Sequence, residues 1–320
     1  VRWFKLNIAP VVLNQVILMA VFILLGFILT KVKMFSQSGS KQMSDLLLYF
    51  VTPCVIINSI KNGYNESLMM SIAVSAAAAA IYHIAAILFA KLLYIKKKNS
   101  GHAVIDRFCT VYSNCGFMGI PLLQAVSEAT GMNVALSGSV FLVVFNVFVW
   151  TQGYSMFKSE GDKLSVKKVL LNPGVIGLVL AFLLVITKIS LPGPIDAAIE
   201  GMSLLNTPVA MLLLGIYLAE TDLVKAVKRA RIYLVCALRL VIVPLLVILV
   251  FKFIPVDMNI SLAVVISSSC PCATISAIFA AQANRNSGYA SSIVALSTVF
   301  SLATIPLMTH LAALILNASA

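Results

Sequence analysis

Charge is what this chain has least of. Only 11% of its 320 residues are charged, and Asp and Glu together number 11. A soluble domain carries about 25% charged residues. Hydrophobic residues make up 61% of the chain, more than a water-soluble core of this size could bury, so a soluble enzyme is excluded. A disordered chain is excluded for the same reason, since disorder needs low hydrophobicity. The sequence lacks the alternating segments of about ten residues that build a transmembrane barrel. It lacks a glycine-rich phosphate loop, so ATP is not expected to drive it. The six cysteines, Cys54, Cys109, Cys115, Cys236, Cys270 and Cys272, all lie in apolar stretches, which is not the framework of a disulfide-stapled secreted domain. What is present is a series of long apolar runs, the mark of an all-α polytopic membrane protein.

Ten runs reach the length of a spanning helix, at about 8–30, 43–60, 67–94, 104–126, 132–156, 173–189, 195–219, 232–253, 259–281 and 289–316. The first is too long for the apolar part of a cleaved signal peptide and has no small-residue cleavage site after it. The net charge of +12 comes in short basic clusters between runs, unlike the single basic face of a nucleic-acid binder. Lys31, Lys33 and Lys41 follow the first run. Lys91, Lys96, Lys97, Lys98 and Arg107 follow the third, Lys158, Lys163, Lys167 and Lys168 the fifth, and Lys225, Lys228, Arg229 and Arg231 the seventh. The opposite side has only Arg2, Lys5, Lys61, Lys188 and Lys252. The positive-inside rule then places these clusters in the cytoplasm and both termini outside.

The chain also reads as a doubled half. A shift of 155 residues places Thr52-Pro53 on Thr207-Pro208, Ser113 and Cys115 on Ser268 and Cys270, and Phe145-Asn146 on Phe300-Ser301. Residues 1–157 form the first five-helix repeat, 158–172 a cytoplasmic linker and 173–320 the second repeat. Five is odd, so the second repeat enters the membrane from the opposite side. Such inverted repeats are typical of secondary transporters, whose sites lie near the midplane where helices break. Two breaks are expected at matching places. In the fourth span, Ser113, Asn114, Cys115 and Gly116 precede Gly119 and Pro121; in the ninth, Ser268 and Ser269 precede Pro271. Proline removes a backbone donor and glycine leaves helical geometry cheaply. The alternative at each site is an ordinary proline kink.

The stretch from Asn114 to Leu123, with Met118-Gly119-Ile120-Pro121-Leu122-Leu123 after the asparagine, resembles the fourth helix of the auxin efflux carrier family. Bacterial members include malate-permease-like proteins. Asn172-Pro173, Pro53 and the Ala277–Ala280 run add weaker likeness. The resemblance implies a ten-helix fold of the sodium/proton-antiporter type, with helices 1, 2, 6 and 7 as a scaffold and 3–5 and 8–10 as a transport unit in which 4 and 9 cross. It further implies elevator-like motion and a homodimer formed through the scaffold. Plant members carry proline where this chain has Ser113, and many have a long cytoplasmic loop; here only about 16 residues join the halves, so the expected substrate is not auxin.

The expected function is secondary transport of a small organic anion, such as malate or another carboxylate, across the cytoplasmic membrane, with no cofactor, resident metal or nucleic-acid partner. The alternatives are a sodium-coupled carrier of bile-acid-like amphipathic anions and a sensor that kept the fold without transport. Asn114 would contact the substrate or merely cap the following half-helix. Ser268 and Ser269 are the mirror candidates, and half-helix N-termini favour anions. Arg239, deep in the eighth span, would attract anions; otherwise it bonds carbonyls or snorkels to the surface. Asn146 would complete the pocket, with Asn14, Pro53, Asn206 and Thr207 on the scaffold side. His83 reads as an interhelical hydrogen-bonder or a proton relay. Cys270 and Cys272 around Pro271 could hold a soft ion or simply pack.

Overall fold

A computed structural model of the chain describes residues 8–35, 37–60, 66–95, 101–157, 173–187, 189, 191–254 and 256–317. Among them the ordered elements are helices, and the one departure is an isolated antiparallel bridge between Ser113 and Cys272. The linker expected at 158–172 lies outside the described residues, as do Lys97 and Lys163.

In chain order the helices are α1 (Ile8–Lys31), α2 (Gln37–Leu46), α3 (Thr52–Ile60), α4 (Glu66–Leu93), α5 (Gly101–Val111), α6 (Ile120–Thr130), α7 (Val134–Phe148), α8 (Tyr154–Phe157), α9 (Pro173–Thr187), α10 (Gly193–Leu204), α11 (Asn206–Glu220), α12 (Leu223–Val227), α13 (Ala230–Ala237), α14 (Val243–Phe253), α15 (Met258–Ser269), α16 (Ile275–Gln282) and α17 (Ser287–Asn317). Four wide π-turns, Leu47–Val51, Cys115–Gly119, Val149–Gly153 and Leu238–Ile242, join neighbouring pieces. In hydrocarbon a helix satisfies its own backbone, which is why apolar runs of this length become helices. Among the described residues, six helical stretches are long and apolar enough to cross a membrane: Ile8–Lys31, Met69–Leu93, Val134–Phe157, Gly193–Glu220, Ala230–Phe253 and Ser287–Leu316. The apolar runs at 43–60, 104–126, 173–189 and 259–281 are helical in shorter pieces. Leu24, Leu92 and Phe253 are among many large apolar side chains that face outward. In water so large an apolar exterior would aggregate; in a bilayer it meets its solvent.

Two helix pairs are drawn together by glycine. On the α1–α11 pair, a Cβ built on Gly215 would lie 2.1 Å from the Ile23 carbonyl oxygen, and one on Gly26 2.2 Å from the Leu212 carbonyl oxygen. No side chain fits at either position, so the two backbones touch. On the α3–α9 pair, Gly177 meets Pro53 in the same way, at 2.7 Å from its Cα. Close contact of this kind replaces the hydrophobic drive that is missing between helices in lipid. A second group packs α4 and α15 on α7, α14 on α15, and α15 and α16 on α17. Helix α1 bridges to this group through α6 and α17.

Candidate functional site

The sequence places a break at Gly119 and Pro121, but the backbone departs from helical geometry earlier, at Tyr112–Asn114. Pro121 falls instead in the first turn of α6, directly after the Cys115–Gly119 π-turn. Gly119 serves close packing: a Cβ there would sit 3.3 Å from the Cys270 sulfur. In the second half, the non-helical residues run from Cys270 to Thr274 and include Pro271.

These two irregular segments pair with each other. The Asn114 amide donates to the Pro271 carbonyl at 2.7 Å, and the Ala273 amide donates to the Tyr112 carbonyl at 3.0 Å. Ser113 thus faces Cys272. The exchange satisfies backbone groups that would otherwise be stranded in an apolar interior. The Cys272 amide donates in turn to the Ser297 hydroxyl at 3.1 Å.

The pairing leaves two helix beginnings and two helix ends around one point. Asn114 precedes the Cys115–Gly119 turn and α6, and its side chain makes no cap bond. Its carboxamide nitrogen is buried without a hydrogen-bond partner. The residue as a whole is 5% exposed. A buried amide left unpaired is costly, and the free donor sits at a helix N-terminus, where partial positive charge accumulates. Thr274 precedes α16, again without a side-chain cap bond. The ends of α5 and α15 meet Arg239, which is wholly buried. Its guanidinium donates to the carbonyls of Thr110 (3.1 Å) and Val111 (2.9 Å), to that of Ser268, and to the Tyr82 hydroxyl (3.0 Å). The sequence allows Arg239 to be an anion attractor, a carbonyl-bonded arginine or a snorkelling one; its hydrogen bonds go to three carbonyls and a tyrosine.

The remaining candidates are spread around this point. Ser113 and Cys115 are buried beside the pairing, and Gly116 is half-buried with Leu142 against it. Ser268 and Ser269 are fully buried, and both hydroxyls donate to the Val265 carbonyl of their own helix. Their neighbour Ser267, which sequence reasoning passed over, has a buried hydroxyl with no partner. Asn146 donates to the Leu142 carbonyl at 2.9 Å within α7. Asn206 opens α11, and its buried side-chain nitrogen has no partner. Helix α11 packs on the Cys115–Gly119 turn, which brings the two elements bearing unpartnered amides into contact. Thr207 and Pro53 are half-buried, whereas Asn14 is exposed on α1. His83 is buried, bonded to the Ala79 carbonyl at 2.7 Å and stacked on Phe148. Among the described residues all six cysteines are free, and no cluster of three or more metal-ligating side chains occurs.

A cleft of about 810 Å³ lies between α11, α16 and α17. Its wall includes Thr274 at the start of α16 together with Lys225 and Arg229. Arg229 lies over the Tyr289 ring at 5.5 Å, and Tyr289 donates to the buried Asp106 at 2.8 Å. Asp106 also pairs with Arg231. Nothing in the spacing of these residues along the chain announces that network.

An uncharacterized transporter of Schizosaccharomyces pombe is 22% identical over 157 residues, 43% of this chain and 34% of that protein. The chain therefore matches about a third of its relative's length. The family model described as membrane transport protein matches residues 11–309. With nearly its whole length matched, the chain belongs to this family of membrane transporters, the auxin efflux carrier family whose motif it carries from Asn114 to Leu123.

Proposed function

We propose that the protein is a secondary transporter that carries a small organic anion, with a carboxylate as the recognised group. The observation that carries this reading is Asn114: an unpartnered, buried carboxamide at the start of a helix, beside a backbone exchange between the two halves. An ionised carboxylate would accept from that amide and from the free N–H groups of the turn behind it. Ser113, Cys115, Gly116, Ser267 and Pro271 would line the same spot, with Ser268 and Ser269 behind them. Asn206 and Thr207 would face it from α11. Asn146, tied to its own helix, would lie at the rim.

In this reading the ten apolar runs are ten crossings, arranged as two inverted repeats. The paired segments at Tyr112–Asn114 and Cys270–Thr274 are the broken crossing helices. The packing supports the symmetry: α1 pairs with α11, the first span with the seventh, and α3 pairs with α9, the second with the sixth. Exchanging the halves turns one pair into the other. These four spans form the scaffold, and the rest slides against them as an elevator. The scaffold's outward apolar faces on α1 and α9 would join two copies. The protein sits in the cytoplasmic membrane with both termini outside, and the cleft at Lys225 and Arg229 is its inward vestibule. The test is a thermal-shift screen of the purified protein against mono-, di- and tricarboxylates, followed by counterflow of the best binder in proteoliposomes. Stabilisation by an organic acid together with counterflow is expected. Absence of stabilisation by any anion, with a cation or neutral solute active instead, would overturn the reading.

A further inference from the structure

The four bonds of Arg239 have a feature in common. Thr110 and Val111 are the last residues of α5, and Ser268 is the last but one of α15. The guanidinium therefore meets carbonyls that have no partner within their own helices. Each helix C-terminus carries the equivalent of about half a negative charge, so two converging ends present about one. Arg239 supplies one positive charge at that place. Among the described residues its hydrogen bonds go to no carboxylate; Asp222 pairs with Lys225 and Asp106 with Arg231. The side chain comes from the π-turn Leu238–Ile242, a widened turn of the kind that re-aims side chains at functional sites.

We propose that Arg239 is a positioning residue: a tethered cation that fills a carbonyl-lined cation site formed by the two converging helix ends. This rests on the transporter reading above. By holding the C-terminal ends of α5 and α15 together, the arginine keeps the opposite beginnings, at Asn114 and Thr274, fixed for the anion. The protein thereby carries its own counter-charge in place of a dissociable ion. Removal of the side chain leaves a pocket walled by three carbonyl oxygens and the Tyr82 hydroxyl. That donor set suits a free guanidinium ion through hydrogen bonds, or an alkali cation through oxygen ligation.

The test uses the purified full chain and reads thermal stability, with no substrate present. The wild type should melt at the same temperature when sodium chloride is replaced by choline chloride at constant ionic strength. Arg239→Ala should melt lower, and millimolar guanidinium chloride should restore much of the loss in a saturable manner, as a ligand of the folded state does. The wild type should gain nothing from guanidinium. Arg239→Lys keeps the charge with fewer donors, so it should melt between the two and stay indifferent to sodium. Sodium-dependent stability of the wild type would overturn the proposal. So would a folded Arg239→Ala that neither guanidinium, sodium nor potassium stabilises. If Arg239→Ala does not fold, an Arg239→Lys protein that becomes sodium-dependent overturns it, and one that remains indifferent to sodium sustains it. None of these readouts needs an anion, so failure to bind any organic acid would remove the transporter reading without deciding this one.

Discussion

Asn114 and Arg239 were both conspicuous in the sequence, as polar residues in apolar surroundings, yet their roles were not equally legible. The position of Asn114 after a Ser and before a glycine-rich turn singles it out as either a substrate contact or a helix cap, and its carboxamide makes no cap bond. Arg239 admits opposite readings because its partners are backbone carbonyls on two other helices and a tyrosine far away in the chain. Carbonyls leave no trace in a sequence. Asp106 is a similar case. It looks like a span-end carboxylate, but it is wholly buried, paired with Arg231 and hydrogen-bonded by Tyr289. Asp106→Asn keeps an acceptor for Tyr289 and removes the charge facing Arg231. Because the Arg231 side chain is 33% exposed, we expect a loss of about 1–2 kcal/mol, below the 3–5 kcal/mol of a fully buried pair. A thermal or denaturant melt in detergent checks this. Asn146→Ala removes one bond within α7, so anion affinity should fall by less than about tenfold, measured by titration of the best binder.

At the scale of elements, the apolar runs were legible because hydrophobic length alone decides where a helix crosses a bilayer. Where the backbone leaves helical geometry was legible only in part, because two signals compete. Proline and glycine at Gly119–Pro121 look like the break, but the real departure at Tyr112–Asn114 depends on a partner segment more than 150 residues away. Helix pairing was equally hidden. Gly26 and Gly215 are ordinary glycines in a sequence, and only their mutual approach gives them meaning. Gly215→Leu should force α1 and α11 apart and cost at least about 1–3 kcal/mol, the usual range for overpacking. Gly201, where an added Cβ meets nothing, is the control; Gly201→Ala should leave the melting temperature of the purified protein unchanged or slightly raised, since alanine is the better helix former.

For the whole molecule, the proposed orientation rests on the basic clusters and on the proposed repeat. Cysteines introduced near Lys97, Lys163 and Lys228 should be shielded from a membrane-impermeant thiol reagent in intact cells, and those near Asn62 and Pro192 should be labelled. External labelling at Lys163 would overturn both the orientation and the inverted repeat. The symmetry also bears on motion: if the scaffold stays still, a cross-link within the α1–α11 pair should leave transport intact, whereas one between α11 and α17 across the cleft should arrest it.

The central claim is that an organic anion binds where the two irregular segments pair, held by the Asn114 amide. The most direct measurement is the affinity of purified wild type, Asn114→Ala and Asn114→Asp for the best-stabilising organic acid, each with its melting temperature. An uncharged donor bonded to an ionised ligand contributes about 1.5–3 kcal/mol, so Asn114→Ala should bind roughly 10- to 150-fold more weakly while staying folded. Asn114→Asp, which adds a like charge, should bind more weakly still. Unchanged affinity in both folded variants would contradict the account and move the site away from the pairing.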